Sequence, residues 1–347
     1  MPSLAPFLLA CRCEPTPYTP VWLMRQAGRY LSEYRAVRER FSFLELCKTP
    51  SAAAEVTLQP VDILGVDAAI LFADILLVLE PLGLGLSFTK GDGPHIAHPV
   101  RTAEQAERLP RVDVEDALSF VLETIRLVKP QLPKRVPLIG FAGAPFTLAS
   151  YAIEGGGSRN YVHTKRLLYG HPQAFHALMS RLVEVTADYL NAQIRAGVDA
   201  VQVFDSWVGN LAPDDYRASV LPHMRELFNR LDPSVPAIHF STGTSGFIEL
   251  IAAAGGDVVG LDWRITLDEG WQRIGHHRAV QGNLDPGVLL GPRQVIRERV
   301  RELLERAGGR PGHVFNLGHG VLPETPRDNV RALVDAVHEL STRGTSG

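Results

Sequence analysis

The stretch Pro20-Val21-Trp22-Leu23-Met24-Arg25-Gln26-Ala27-Gly28-Arg29-Tyr30 joins a short apolar run to two arginines four residues apart. A run of four apolar residues that ends at a charged loop is typical of a buried β-strand. We therefore expect a strand at 21–24 that leads directly into Arg25 and Arg29. The two guanidinium groups would share one face if the following segment turned helical. The alternative is the solvated start of a basic helix.

The same strand-like unit recurs along the chain. Short apolar runs stopped by Gly, Asp, Ser or Asn predict further strands at 68–72, 136–141, 200–204, 237–240, 258–261, 279–281 and 314–316. Amphipathic stretches between them predict helices at 115–132, 175–196, 211–231, 244–254 and 292–307. Eight apolar strands with helical crossovers predict an α/β fold, a single (β/α)8 TIM-type barrel. A doubly wound open sheet is the alternative, but the first strand lacks a Gly-rich dinucleotide loop.

Length and composition limit the function classes. We expect one domain over residues 1–347, with a short N-terminal arm at 1–18 and a frayed tail at 341–347. The net charge of −3 argues against a nucleic-acid binder, and no run approaches the ~20 apolar residues of a membrane span. Cys11, Cys13 and Cys47 all lie near the N-terminus, which favours reduced thiols in a cytoplasmic protein.

Polar side chains follow several of the predicted strands. Active sites of such barrels lie at the carboxyl ends of the strands, so residues at these positions are candidates for function. We therefore expect one site that contains Arg25, Arg29, Asp74, Tyr151, Ser206 and His319.

Three of the last four candidates also have a structural interpretation. Asp74 could be a helix N-cap, Tyr151 a core residue with a satisfied hydroxyl group, and Ser206 a cap at a strand end. A serine hydrolase is disfavoured because the chain has no Gly-x-Ser-x-Gly elbow. His319 stands between two glycines, which would let the backbone approach a ligand closely. The other histidines lack metal-binding spacing, so we expect no metal site.

Several longer motifs carry a resemblance to a known family. They are PVWLMRQAGRYLSEYR at 20–35, ILFADIL at 70–76, GFAGAPFTLASYAIEGGGS at 140–158, FDSW at 204–207, QGNLDP at 281–286 and FNLGHGVLPETP at 315–326. In this order they resemble the uroporphyrinogen decarboxylases. Two positions depart from the family pattern: Ser32 replaces a Pro, and Phe146 replaces a Trp.

The resemblance implies a function. Members of the family remove the carboxyl groups of the four acetate side chains of uroporphyrinogen III, which gives coproporphyrinogen III in haem biosynthesis. It implies a cofactor-free cytoplasmic homodimer whose catalytic residues are Asp74 and Arg29. Arg25, Tyr151, Ser206 and His319, together with those two, would bind the tetrapyrrole substrate. The proton donor stays open between Arg29 and a substrate-bound water.

The implied chemistry also predicts the surroundings of the site. Asp74 would stabilise a cationic form of the substrate and accept hydrogen bonds from its pyrrole N–H groups. A macrocycle docks on apolar walls, for which the chain offers Phe72, Phe141, Phe146 and Phe204.

Two other functions compete with decarboxylation. A corrinoid-dependent methyltransferase of the same superfamily would need sulfur ligands for zinc, but no cysteine follows Cys47. A non-enzymatic tetrapyrrole-binding protein would not need a buried carboxylate beside converging arginines.

Overall fold

A curled parallel sheet forms the centre of the computed structural model, which describes residues 5–89 and 93–342. Within these residues the strands are β1 (Ala69–Ile70), β2 (Leu86–Thr89), β3 (Gly93–Ile96), β4 (Leu138–Gly143), β5 (Ala200–Asp205), β6 (Ala237–Ser241), β7 (Val258–Gly260), β8 (Ala279–Gln281) and β9 (His313–Val314). Seven of them pair in the parallel order β1-β4-β5-β6-β7-β8-β9, while β2 and β3 form a separate antiparallel hairpin. Residues 343–347 of the expected frayed tail lie outside the described residues.

Burial on both faces explains why the strands are apolar runs. All six residues of β4 are buried, and the same holds for the five residues of β6. Side chains on the concave face meet in an interior cluster, which comprises Phe7, Ala10, Cys11, Trp22, Met24, Ala68, Ile139, Ala200, Ile238, Phe240, Val258, Ala279 and Val314.

The segment at 20–24 lies between the two ends of the sheet. Phe315 N donates to Pro20 O at 2.8 Å, and Trp22 N donates to Phe315 O at 3.3 Å. On the other side Asp67 N donates to Val21 O at 2.8 Å. The expected strand at 21–24 is nevertheless wrong beyond a single bridge at Val21. Side chains take over the next bonds, since Met24 N donates to Asn316 Oδ1.

Helices cover the outside of the sheet. They are α1 (Pro6–Cys11), α2 (Ser32–Arg40), α3 (Phe43–Lys48), α4 (Pro50–Leu64), α5 (Ala103–Glu107), α6 (Val114–Ala117), α7 (Ser119–Val128), α8 (Pro145–Glu154), α9 (Val162–Gly170), α10 (Pro172–Ala196), α11 (Pro213–Ser219), α12 (Leu221–Arg230), α13 (Ile248–Ala254), α14 (Leu267–Ile274), α15 (Arg293–Ala307) and α16 (Arg327–Ser341). Short 3₁₀ turns lie at Leu77–Leu79, Lys129–Gln131, Val208–Asn210, Ser245–Phe247 and Pro286–Leu290.

Prolines account for two of the differences from the predicted helices. The helix expected at 211–231 is divided into α11 and α12, and Pro222 lies in the first turn of α12. The helix expected at 115–132 becomes α6, α7 and a final 3₁₀ turn that contains Pro130. The helices expected at 175–196 and 292–307 correspond closely to α10 and α15.

The N-terminal arm is not a loose extension where it is described. Helix α1 buries Phe7, Ala10 and Cys11. These side chains belong to the interior cluster, where they lie with Ala200 and Ala279 from the first positions of their strands. The arm therefore packs at the amino-terminal end of the sheet, opposite the end at which the candidate residues follow the strands.

A buried carboxylate fastens three segments at that amino-terminal end. Asp67 accepts from Val21 N at 2.8 Å and from the Tyr18 hydroxyl group at 2.9 Å. His338 Nε2, on α16, lies 2.7 Å from the same carboxylate. Asp67 thus joins the segment before the sheet, the loop before β1 and the last helix.

We predict that Asp67→Ala destabilises the protein. The substitution leaves the buried Val21 N–H without its acceptor, which costs about 1–3 kcal/mol of the free energy of unfolding. Urea denaturation measures this loss. Asp62→Ala, at an exposed position of α4, is the matched control and should lose far less. Equal stability of the two variants would contradict the fastening role.

Candidate active site

A single cavity lies at the carboxyl ends of the strands. Its volume is about 430 Å³, and side chains from loops, helices and strands spread along the chain line it. The structure brings all the predicted site residues to this cavity, namely Arg25, Arg29, Asp74, Tyr151, Ser206 and His319.

Asp74 lies four residues beyond β1 and faces the cavity. Its Oδ1 atom accepts a hydrogen bond from Leu76 N at 2.8 Å, just before the 3₁₀ turn Leu77–Leu79. The carboxylate therefore caps a turn with one oxygen while it lines the cavity, so the two interpretations of Asp74 are compatible. Desolvation raises the pKa of Asp74 to about 6, although the Leu76 bond and the charge of Arg25 act in the opposite direction.

The two arginines enter the cavity from a turn and not from a helix. Arg25 has a positive φ of 60°, and the next helix, α2, begins only at Ser32. The segment that follows Met24 is therefore not helical, and the condition under which the two guanidinium groups would share one helical face is not met. Across the described ranges 5–89 and 93–342, neither Arg25 nor Arg29 has a carboxylate within ion-pair distance. Both side chains are exposed, so their donors are available to an anion.

His319 follows β9 at the end of the motif with two flanking glycines. A Cβ atom on Gly318 would lie 2.3 Å from Trp263 N, and one on Gly320 would lie 2.4 Å from Arg25 Cδ. Both glycines are therefore needed for close packing against Trp263 and Arg25, and Gly320 also lines the cavity. Desolvation lowers the pKa of His319 to about 4, and the positive charge of Arg25 adds to this effect. The imidazole is neutral at physiological pH.

Tyr151 and Ser206 form the opposite wall. Tyr151 lies on α8, and its ring packs edge-on against Trp207 with centroids 5.6 Å apart. Desolvation, followed by the nearby charge of Asp74, raises the pKa of Tyr151 to about 12, so its hydroxyl group stays protonated. Ser206 follows β5 directly, and its carbonyl group accepts from Thr242 Oγ1 at 2.6 Å.

Aromatic rings form the floor of the cavity. Phe204 contacts Phe141 and Phe240 edge-to-face, at centroid distances of 5.5 and 5.9 Å. The expected wall residue Phe146 does not reach the cavity. It is fully buried and packs against Phe175 of α10, because its position on α8 points it away from the strand ends.

The sequence interpretation missed a second aromatic wall. Tyr34, Phe43 and Phe88 also line the cavity. Phe43 lies 4.8 Å from Phe88 and 6.0 Å from Phe72, measured between ring centroids. Phe88 belongs to the hairpin of β2 and β3, whose signal was the alternation Leu86-Ser87-Phe88 followed by Gly91 and Gly93.

Within residues 5–89 and 93–342, no group of three or more His, Cys, Asp or Glu side chains is arranged to hold a metal ion. In the same part of the chain, none of the helices combines the length and apolar character needed to cross a membrane.

Comparison with known proteins now decides the family. A family model described as uroporphyrinogen decarboxylase matches residues 3–340. The chain belongs to the uroporphyrinogen decarboxylase family. A relative from Carboxydothermus hydrogenoformans with that name is 58% identical over 97% of this chain and 96% of its own length. Another, from Sorangium cellulosum, is 55% identical over 98% of both chains. The resemblance drawn from the motifs is confirmed.

A solved structure supports the fold independently. A methyltransferase from Methanosarcina mazei superposes with a TM-score of 0.83, covers 97% of this chain and 99% of its own, and is 20% identical. At that identity the likeness concerns the fold alone. Members of the uroporphyrinogen decarboxylase family and this methyltransferase thus share one architecture.

We predict that Asp74→Asn stabilises the protein at neutral pH. The pKa of Asp74 is raised from 3.8 to about 6 on folding, so the folded state binds its proton more tightly than the unfolded state. The ionised carboxylate therefore costs stability above pH 6, and this cost disappears below about pH 4. Asn keeps an acceptor for Leu76 N without the charge.

Thermal unfolding at pH 7.5 and at pH 4 measures the effect. Asp74→Asn should melt at a higher temperature than the wild type at pH 7.5, and the gain should vanish at pH 4. Asp62→Asn, at an exposed site, serves as the control and should show no such difference. A lower melting temperature of Asp74→Asn at pH 7.5 would show that the carboxylate is structural.

Proposed function

We propose that this chain is a uroporphyrinogen decarboxylase that converts uroporphyrinogen III to coproporphyrinogen III. One observation carries the proposal: a desolvated carboxylate, Asp74, lines a cavity with an aromatic floor together with Arg25 and Arg29, which form no ion pair within residues 5–89 and 93–342. The family membership supports the same function.

The cavity suits a flexible polyanionic macrocycle. Aromatic rings of Phe141, Phe204 and Phe240 offer an apolar surface to the tetrapyrrole ring system. Arg25 and Arg29 offer planar pairs of donors to its carboxylates, which Lys would orient less well. Tyr151 and Ser206 supply neutral donors on the opposite wall.

The reaction needs an electron sink, which the substrate itself can supply. Protonation of the pyrrole carbon beside the acetate side chain creates a cation conjugated with the ring nitrogen. The bond between the methylene and the carboxyl carbon then breaks, CO2 leaves, and its electron pair forms an exocyclic double bond. Protonation of that methylene carbon gives the methyl group, and the ring carbon releases its added proton. Each cycle consumes one proton in total.

Asp74 is the group best placed to favour that cation. One of its oxygens accepts a hydrogen bond from Leu76 N, and the carboxylate is desolvated where it lines the cavity. In such a setting a fixed negative charge stabilises a nearby cation much more strongly than it would in water. Arg29 and a substrate-bound water are the two candidates for the proton donor.

We also propose that the sheet is a closed (β/α)8 barrel and that residues 1–347 form one domain. The segment at 20–24 supports closure, since its backbone bonds to Phe315 on one side and Asp67 on the other. Two successive hydrogen bonds between side chains cross the interior and also support closure. Trp22 Nε1 donates to Gln281, and Gln281 donates to Gln202. The homodimer, the cytoplasmic location and the absence of a cofactor stay predictions from the resemblance.

The competing functions can be separated in one assay. The protein is incubated anaerobically with uroporphyrinogen III in the presence of a chelator, and the oxidised products are separated by carboxyl number. We expect hepta-, hexa-, penta- and finally tetracarboxylate products. Binding without any loss of carboxyl groups would favour a tetrapyrrole-binding protein, and activity that returns only on addition of zinc would contradict the metal-free mechanism.

We predict that Asp74→Asn lowers kcat by roughly 10²–10³-fold, by analogy with the loss of one preorganised electrostatic group. Substrate affinity should fall less, because the amide oxygen still accepts a hydrogen bond. Steady-state kinetics and a binding titration give the two quantities separately. A variant with near-normal kcat would exclude Asp74 as the stabiliser of the cation.

We predict that Arg29→Ala lowers kcat/KM by about 10–100-fold, since a hydrogen bond to a charged group contributes about 1.5–3 kcal/mol. Arg301→Ala is the matched control, because Arg301 is also exposed but lies on α15, away from the cavity. Steady-state kinetics with uroporphyrinogen III gives kcat/KM for both variants. Equal losses in both variants would contradict an anion-binding role for Arg29.

A further inference from the structure

A buried threonine lies directly beneath the wall that carries Ser206. Thr147, in the first turn of α8, donates from its hydroxyl group to Asp205 Oδ1 at 3.0 Å. The same hydroxyl oxygen accepts from Trp207 N at 3.3 Å. Thr147 and Asp205 are both fully buried. One hydroxyl group thus joins the residue before Ser206 to the residue after it.

A second threonine holds Ser206 from the neighbouring strand. Thr242 follows β6, and its hydroxyl group donates to the Ser206 carbonyl group at 2.6 Å. The backbone there is also tightly packed, since a Cβ atom on Gly209 would lie 2.3 Å from Thr242 O. Ser206 is therefore anchored through Thr147 on one side and through Thr242 on the other, and its side chain lines the cavity.

The network contains a buried carboxylate, that of Asp205, which packing alone does not explain. Asp205 Oδ2 lies 3.9 Å from His239 Nε2, and both side chains are fully buried. A buried carboxylate is costly unless hydrogen bonds or an opposite charge compensate it. Asp205 Oδ1 receives such a bond from Thr147, whereas Oδ2 has no hydrogen-bond partner among the described residues. The Thr147 bond therefore fixes the orientation of this carboxylate, and fixed support is what a precisely placed functional group requires.

We propose that Thr147 and Thr242 are positioning residues for Ser206, which they hold at the angle that presents its hydroxyl group to a substrate carboxylate. Neither threonine is among the residues that line the cavity. The inference rests on the proposed function, because it assigns the two residues to the carboxylate-binding wall of that same site.

Isosteric variants test the inference in the assay for decarboxylation of uroporphyrinogen III. Thr147→Val keeps the shape of the side chain but removes the hydroxyl group, whereas Thr147→Ser keeps the hydroxyl group. Thr186→Val is the matched control, since Thr186 is fully buried on α10 and its hydroxyl group has no hydrogen-bond partner in the described residues. We expect Thr147→Val to lower kcat/KM by about 10–100-fold, as small misplacements of positioned groups do.

A double-mutant cycle distinguishes positioning from general damage. If Thr147 acts through Ser206, its substitution by Val should cost little further kcat/KM in a Ser206→Ala background. Thr147→Ser should restore most of the activity, and Thr186→Val should behave as the wild type. If Thr147→Val lowered kcat/KM by the same factor in the wild-type and Ser206→Ala backgrounds, the proposal would be overturned. Wild-type kinetics of Thr147→Val would overturn it too.

Thr242→Val provides a second test at a partly exposed position, in case Thr147→Val fails to fold. It should show the same coupling to Ser206→Ala, and additive losses would overturn the proposal for this anchor too. A wild-type protein that leaves uroporphyrinogen III unchanged would instead refute the proposed function. The two failures are therefore distinguishable.

Discussion

A carboxylate that faces an apolar cavity is the constraint on which the site depends. The backbone N–H group of Leu76 donates a hydrogen bond to Asp74. Desolvation raises the pKa of Asp74 above that of an ordinary aspartate, and this bond and the positive charge of Arg25 offset the rise only in part. Such a group is unfavourable for folding but well suited to a substrate that becomes cationic during the reaction. The surrounding rings matter because they exclude the water that would otherwise screen that charge.

Parallel strands explain how the other residues reach Asp74. Their carboxyl ends meet at one edge of the sheet, so residues that are distant in sequence become neighbours there. In the stretch Phe204-Asp205-Ser206-Trp207, neighbouring residues at a strand end have different environments. Asp205 ends β5 within the buried network, whereas Ser206, one residue later, lines the cavity.

Much of this arrangement could be predicted from the sequence, because apolar runs followed by polar residues mark strand ends. That pattern, together with the family motifs, predicts the six site residues that line the cavity. Local backbone conformation and individual hydrogen bonds were harder to predict from the sequence. The left-handed conformation of Arg25 and the side-chain bonds that replace a strand at 21–24 depend on partners such as Asn316, almost 300 residues away. Gly318 and Gly320 had a recognisable motif, but only the structure shows that protein atoms fill the space beside them.

Shared architecture does not determine chemistry in this fold. The methyltransferase from Methanosarcina mazei has nearly the same chain path at 20% identity. Differences in activity must therefore come from the residues at the strand ends. In this chain Ser241 ends β6 and Thr242 follows it, and no cysteine occurs after Cys47 to supply a zinc ligand of the kind expected in the corrinoid-dependent enzymes.

The pH dependence of kcat/KM tests most directly whether the charge of Asp74 drives the reaction, because this quantity reports the ionisation of the free enzyme. The pKa of Asp74 is about 6, so kcat/KM of the wild type should fall about tenfold per pH unit below that value. His319, with a pKa of about 4, is too acidic to produce this limb. Asp74→Asn should lack the limb, and an unchanged limb in that variant would contradict the role of the Asp74 charge in the reaction.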